Sequence, residues 1–382
     1  MGVVSMAWIP RIPEIKDALG LNNAQFGILL LGSTFGSLCG AQLAGRLVHT
    51  FGSRRISTLA SVVMPIGLIA MGFSRSSIQL FFALFVMGIG YSALDISVNT
   101  QAVAIEKLLG RRWMSSFHGA WSVGAFVTTI FGGSIARVTT PQFNLVLIGI
   151  CALVLYIPAI SALLNSDLDG HSGGEEETKA KIPFISRSVL PLWAMGVGLF
   201  GALIAEGATG DWSGLLLRDH MDIGKGLNAS AFASFALAMI ISRFLGDRAL
   251  ERFGPALTVK LGGLIGGSAL GISIAIAVPL SSHWQFGSLV VVDLGFFIAG
   301  LGMGPIFPAY ILAASAVPGV APSVGIARVG VIALAAFFIG PAVTGGLAQL
   351  TSLPVAMALP ALMFMFSGYQ SRAIKKNMSQ LT

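Results

Sequence analysis

A chain of 382 residues that is 55% hydrophobic and 10% charged, with mean hydropathy +0.84, is not built as a soluble domain. Soluble domains carry roughly 25% charged residues, so the composition implies an integral membrane protein. The net charge of +7 and pI near 9.7 do not mark a nucleic-acid binder, because the basic residues cluster in short loops between apolar runs.

Met1–Pro10 lacks a charged n-region, so no cleavable signal peptide is expected. Apolar stretches long enough to span about 30 Å of hydrocarbon follow at 24–48, 56–73, 79–104, 113–136, 143–164, 189–217, 228–249, 256–279, 286–312, 322–349 and 354–371. A twelfth, at the start, is only Met1–Ile9, which as a helix rises about 13 Å and cannot cross.

An internal repeat accounts for that stub. Trp8 is followed by Leu21, Asn22 and Phe26, and Trp212 by Leu227, Asn228 and Phe232. Each block leads into a span ending at a basic Phe-Gly turn, Phe51-Gly52 or Phe253-Gly254, and Gly88-Ile89-Gly90 recurs as Gly300-Leu301-Gly302. Two parallel six-helix repeats are a known transporter architecture. On this alignment Met1 falls inside the first helix, and upstream in-frame codons are expected to complete it.

The division expected is 1–164 as an N-terminal bundle, 165–188 as a polar linker and 189–382 as a C-terminal bundle with a short tail. Cys39 and Cys151 lie in apolar runs, so no disulfide framework is expected. The even loops, linker and tail carry Arg46, Arg54, Arg55, Lys107, Arg111, Arg112, Lys179, Lys181, Arg187, Arg243, Arg248, Arg252, Lys260, Arg372, Lys375 and Lys376. The opposite loops carry only Arg11, Lys16, Arg75, Arg137, Arg218 and Lys225. The positive-inside rule therefore expects linker and tail in the cytoplasm.

Polar residues within the spans are the candidate site. On the second span Gly32, Gly36 and Gly40 form a small-residue stripe suited to close packing. On the fourth, Tyr91, Asp95 and Asn99 recur at i, i+4 and i+8 on one face. On the fifth, Ser115, His118 and Ser122 share a face, with Trp121 beside them and His118 at about the depth of Asn99.

The seventh span holds Glu206-Gly207-Ala208-Thr209-Gly210-Asp211-Trp212-Ser213. Glycine at that density weakens a helix, so a loosened backbone is expected there, with Glu206 in its outer half and no cation nearby. Trp212 reads as an interface anchor. Asp293 lies two turns into the tenth span, near its mouth. Arg328 is the one strongly basic residue read as well inside a span, and Asp95 or an anionic solute is its expected partner. A charge at the bilayer centre costs at least about 2.5–3.5 kcal/mol, so Asp95, Glu206, Asp211 and Asp293 are expected to face a bundle interior or a water-filled cavity.

After the second span, Gly45-Arg46-Leu47-Val48-His49-Thr50-Phe51-Gly52-Ser53-Arg54-Arg55 resembles the loop signature of the major facilitator superfamily, with His49 where that family has an aspartate. The second copy carries Arg243, Gly246, Asp247 and Arg248. Gly90, Asp95, Asn99, Glu106, the run Met114-Ser115-Ser116-Phe117-His118-Gly119, and Glu206-Gly207 with Asp211-Trp212-Ser213 resemble the YbjJ/MosC-like permeases, relatives of the fucose permease.

The resemblance implies an all-α membrane protein of two pseudo-symmetric six-helix bundles working by alternating access in a bacterial inner membrane. The solute expected is small and polar, of sugar or sugar-derivative type, moved with protons. Asp95 and Glu206 are the expected proton-responsive acids; Trp8, Tyr91, Asn99, His118, Trp121, Asp211, Asp293 and Arg328 are the expected cavity residues. The fifth helix has Gly132-Gly133 and no proline, unlike drug–proton antiporters, and Gly340-Pro341 stands in the eleventh. Metabolite or drug export remains the alternative within the class, and a transport-inactive membrane sensor the alternative outside it. No metal-ligand cluster or phosphate loop occurs, so no enzymatic reaction, metal or cofactor is expected. The protein is expected to act as a monomer.

Overall fold

The computed structural model describes residues 1–110, 114–165, 168, 190–318, 320 and 322–378. Most of the 165–188 linker, together with Arg111 and Arg112, lies outside them. The side chains of His118, Asp247, Lys375 and Lys376 lie outside them too. Among the described residues there is helix and no strand, and ten helical stretches are long and apolar enough to cross a membrane. Gly119–Ile135 is a shorter apolar helix. Apolar side chains are turned outward along them, as lipid contact requires: Ile157 is 68% exposed and Phe131 66%.

The chain forms two compact units, Met1–Lys179 and Ala180–Thr382. In the first, α1 (Gly2–Met6), a 3-10 turn at Ile9–Arg11 and α2 (Ile12–Ala18) precede α3 (Asn23–Phe51), α4 (Ser53–Phe73), α5 (Ser77–Leu109), α6 (Met114–Ile135) and α7 (Pro141–Ser161). α5 is packed between α3 and α4, α4 on α7, and α1 on α6.

Local sequence sets the ends of these helices. Asn22 caps α3 by accepting from the Gln25 amide at 2.8 Å, while the Gln25 side chain accepts from the Asn22 amide at 3.0 Å. Thr140 caps α7, with Pro141 at its first position. Gly110 ends α5 in the left-handed region at φ 62°.

In the second unit, α8 (Leu190–Met221) is a core helix against which α9, α11, α12, α13 and α15 pack. A 3-10 turn at Leu227–Ala229 leads into α9 (Ser230–Ser281), which bends at Gly254. Then come α10 (Gln285–Met303), α11 (Ile306–Ser315), α12 (Pro322–Leu334), α13 (Ala336–Leu350), α14 (Leu353–Ala356) and α15 (Ala358–Met378).

The repeat is written into the backbone. Gly52 (φ 82°, ψ 154°) and Gly254 (φ 73°, ψ 157°) make the same turn in a region open essentially only to glycine. Gly20 and Gly226, just before the two Leu-Asn pairs, also have positive φ.

The paired Gly-x-Gly steps have a packing reason. Residues two apart on a helix point to opposite sides, so each step serves two neighbours. A Cβ at Gly88 would stand 2.2 Å from the Ser33 carbonyl oxygen on α3, and one at Gly90 2.4 Å from the Met64 amide nitrogen on α4. In the second unit a Cβ at Gly300 would meet the Phe235 carbonyl oxygen at 2.2 Å, and one at Gly302 the Gly262 carbonyl oxygen at 2.3 Å, on the two arms of α9. Ser37 donates to the Gly88 carbonyl and Ser242 to the Gly300 carbonyl, both at 3.3 Å. The Gly32, Gly36 and Gly40 stripe likewise lies against the backbone of α5.

One expectation about helix continuity is corrected. The glycine-rich 206–213 segment is uninterrupted helix within α8. The hydrogen-bond ladder is interrupted instead at Gly304-Pro305, between α10 and α11, and at Ala335, between α12 and α13, where the backbone keeps right-handed helical angles and each stretch runs on to membrane length. Proline supplies the first break, because it has no N–H to donate and its ring clashes with the preceding turn.

Candidate functional site

In the first unit, Tyr91, Asp95 and Asn99 lie half-buried on one face of α5, and Tyr91 and Asp95 each take part in a further interaction. On α6, the Trp121 indole nitrogen is buried with no hydrogen-bond partner among the described residues. Trp8 is buried, with its ring packed against Phe26 at 6.5 Å between centroids.

At the loop-motif end of this unit, Arg54 donates to the Asn165 side chain and to the Ser161 carbonyl at the end of α7. With His49 in place of an aspartate, the loop arginine is held by neutral acceptors. Gln101 completes that end. Its Nε2 donates to Ser53 Oγ at 2.7 Å and to the Leu164 carbonyl at 3.1 Å, and its Oε1 accepts from the Leu164 amide at 2.8 Å. Gly45 stands in open space, so its side faces no packing constraint.

At the opposite end of the unit, Arg11 is fully buried. It donates to Asn144 Oδ1 at 3.3 Å, to Thr139 Oγ1 at 2.5 Å, to the Ala136 and Thr139 carbonyls at 3.3 and 3.1 Å, and pairs with Glu14 at 3.2 Å. Burial lowers its guanidinium pKa from the usual value, with Glu14 opposing that shift. This cluster ties the first segment of the chain to α6 and α7. Sequence reading counted Arg11 only as a loop charge, since its partners other than Glu14 lie more than 120 residues away.

In the second unit, Glu206 sits at the middle of α8, not in its outer half, and its backbone carbonyl accepts from Thr209 Oγ1 at 2.7 Å. Arg243, read from sequence as part of the cytoplasmic loop, lies inside α9 within the membrane-length stretch Leu227–Gly246. Arg328 is half-buried on α12, at the start of the membrane-length stretch Arg328–Leu350, and engaged in an interaction of its own.

Asp211 is half-buried on α8, whereas Trp212 beside it is fully buried and so is not an interface anchor. Asp293 on α10 accepts from Ser230 Oγ at 2.9 Å, which ties it to the start of α9. Of the second loop motif, Gly246 lies in ordinary contact with Pro305, and Arg248 is exposed. Among the described residues no group of His, Cys, Asp or Glu could hold a metal ion. Cys39 and Cys151 are free.

Comparison with known proteins follows this geometry. Residues 1–324 match the Major Facilitator Superfamily. The chain is 31% identical over 381 residues to an uncharacterized MFS-type transporter of Yersinia pestis, covering 98% of this chain and 93% of that one. It is 27% identical over 356 residues to the membrane protein MosC of Rhizobium meliloti, covering 93% and 83%. A bacterial homologue of the human lysosomal transporter Spinster shares the fold with TM-score 0.75 at 16% identity, covering 99% of this chain and 94% of that one. The nucleoside transporter NupG does so with TM-score 0.70 at 11% identity, covering 100% and 96%. At such identities the two structures speak to the fold alone.

Proposed function

The chain belongs to the Major Facilitator Superfamily, and on that premise we propose that it is a proton-coupled secondary transporter for a small polar solute of sugar or sugar-derivative type. The observation that carries the reading is that ionisable side chains are held inside membrane-length helices, among them Asp95, Glu206, Asp211, Arg243 and Asp293. Charges there are costly, and they mark solute and proton paths. A membrane protein with no path to build would replace them with apolar residues.

In this reading Glu206 and Asp95 are the proton-responsive acids. Within the first unit Tyr91, Asn99, His118 and Trp121, with Trp8, are the solute-path residues of this reading, and within the second unit Asp211, Asp293 and Arg328 are. Protonation of a buried carboxylate removes the main electrostatic obstacle to occluding a cavity, which links proton uptake to closure. The protein works as a monomer in a bacterial inner membrane, with the 165–188 linker and the C-terminal tail in the cytoplasm.

A thermal-shift screen of purified protein against a metabolite panel, followed by flux in proteoliposomes, tests the reading. Glu206→Gln, a mimic of the protonated acid, is expected to keep solute exchange and to lose accumulation driven by a pH gradient. Accumulation by that variant when only a pH gradient is supplied would remove Glu206 as the coupling acid and pass the role to Asp95.

A further inference from the structure

The two repeats close the same helix pair differently. In the first unit α4 packs on α7, and in the second the arm of α9 after Gly254 packs on α14 and α15. Ile69 and Gly271 hold the same place after the Gly52 and Gly254 turns. A Cβ at Gly149 on α7 would stand 2.4 Å from Ile69 Cγ1, whereas one at Gly271 meets nothing within 4 Å except Ala361 Cβ, at 3.4 Å. Gly149 and Ala361 are therefore the opposing positions. The isoleucine that fills the first interface has no equivalent in the second.

Neighbouring positions follow the same trend. One turn beyond Ile69 stands Phe73, and one turn beyond Gly271 stands Ala275. Phe143 and Val146 precede Gly149, and Val355 and Ala358 precede Ala361 at the same spacings. At every one of these places the second unit holds the smaller side chain. The outcome is a cavity of about 370 Å³ between α9 and α14–α15, with Gly271, Ile274, Ala275, Val355, Met357 and Ala358 in its wall. Small-molecule sites occupy about 300–1,000 Å³.

The surroundings of this cavity decide what fills it. Both walls belong to membrane-length stretches, Arg248–Ser281 and Leu353–Ile374, and Ile272, Ile276 and Val355 beside it are exposed. Its mouth therefore opens toward lipid. Apolar cavities do not hold water, and a void of this size left empty forfeits the contacts of its walls.

One end of the groove reaches Pro279 and Pro354, next to the polar turns Ser281–Trp284 and Thr351–Ser352. There Ser282 Oγ lies 2.7 Å from His283 Nδ1, and Trp284 is exposed, as tryptophan is at a membrane interface. These turns hold no lysine or arginine, so nothing in them selects an anionic headgroup. A polar rim above an apolar trough matches the glycerol backbone of a phospholipid above its acyl chain.

We propose that this groove is a resident lipid site, in which one acyl chain of a bilayer phospholipid lies between α9 and α14–α15. The chain takes the place that Ile69 and Phe73 take in the first unit. Shape and dispersion contact hold it, because lipid tails elsewhere offer equally apolar surroundings. The first unit, with its groove filled by its own side chains, is a control within the same molecule.

Photolabelling tests the site. The full chain is reconstituted in phosphatidylethanolamine vesicles containing a trace of that lipid with a diazirine on one acyl chain, irradiated, and read by peptide mass spectrometry. Adducts on 271–279 and 354–358 are expected to exceed those on 69–77 and 142–146 on the order of fivefold, because a chain in the groove touches protein on several sides. Gly271→Ile/Ala275→Phe, which restores the residues of the first unit, is expected to remove the excess. Equal adducts in the two units overturn the proposal, as does an excess that survives the filled variant. Where that variant does not purify, Val355→Phe decides: Val355 is exposed, and an excess unchanged by the larger side chain overturns the site. A dimer in native mass spectrometry that Val355→Phe dissociates would give the groove to a second copy and overturn the lipid site.

Discussion

Gly36 and Gly45 occupy the same helix, yet the structure assigns opposite consequences to adding one methyl group. On α3, a Cβ at Gly36 would stand 2.0 Å from the Phe85 carbonyl oxygen on α5, while one at Gly45 meets nothing within 4 Å. An ordinary C···O approach is about 3.3–3.6 Å, so Gly36→Ala must push α3 and α5 apart by about 1.3 Å locally. Overpacking of that kind costs about 1–3 kcal/mol. Each kcal/mol is about 2–4 °C for a folding unit of 150–250 residues, so a melting temperature lower by on the order of 2–12 °C is expected. Gly45→Ala gains the difference in helix propensity, up to about 1 kcal/mol, and is expected to be neutral or slightly stabilising. Differential scanning fluorimetry on the two purified variants, in one detergent, measures the contrast. Equal shifts, or a larger loss for Gly45→Ala, would refute the claim that α3 and α5 meet backbone to backbone.

Gly52→Ala and Gly254→Ala should each cost about 1–3 kcal/mol, because both turns use a glycine-only region; matched losses in melting temperature are expected, and tolerance at either site would contradict the shared turn. Arg11→Ala leaves Glu14, Asn144 and Thr139 with lost partners, and removing one member of a buried charged cluster costs about 3–5 kcal/mol. Limited proteolysis should then cut first in the segment before Asn22, and wild-type resistance there would count against the cluster as its anchor. Asp95→Asn and Arg328→Gln should each impair flux in proteoliposomes; wild-type flux in either variant would remove that residue from the solute path.

The membrane character, the spans and the two-fold repeat were legible in the sequence because lipid imposes its demand on every residue of a span. Hydropathy along the chain reports it directly, and the Phe-Gly and Leu-Asn landmarks survive in both halves because their turns need positive φ at Gly52, Gly254, Gly20 and Gly226. The Gly-x-Gly steps were visible as a pattern, but their service to two neighbours each became apparent only in the packing.

Helix continuity was decided by tertiary structure. Glycine's propensity penalty, about 1 kcal/mol, predicted a loosened helix at 206–213. An unsatisfied backbone group in hydrocarbon costs several kcal/mol, and α8 stays helical because that cost is larger. At Pro305 no such bond was available, so the break went there. Partnerships behaved likewise. Arg11 finds Asn144 and Thr139 across more than 120 residues. A linear pattern of charges records which groups are costly to bury, and only the fold decides which of them stand at one depth to offset that cost.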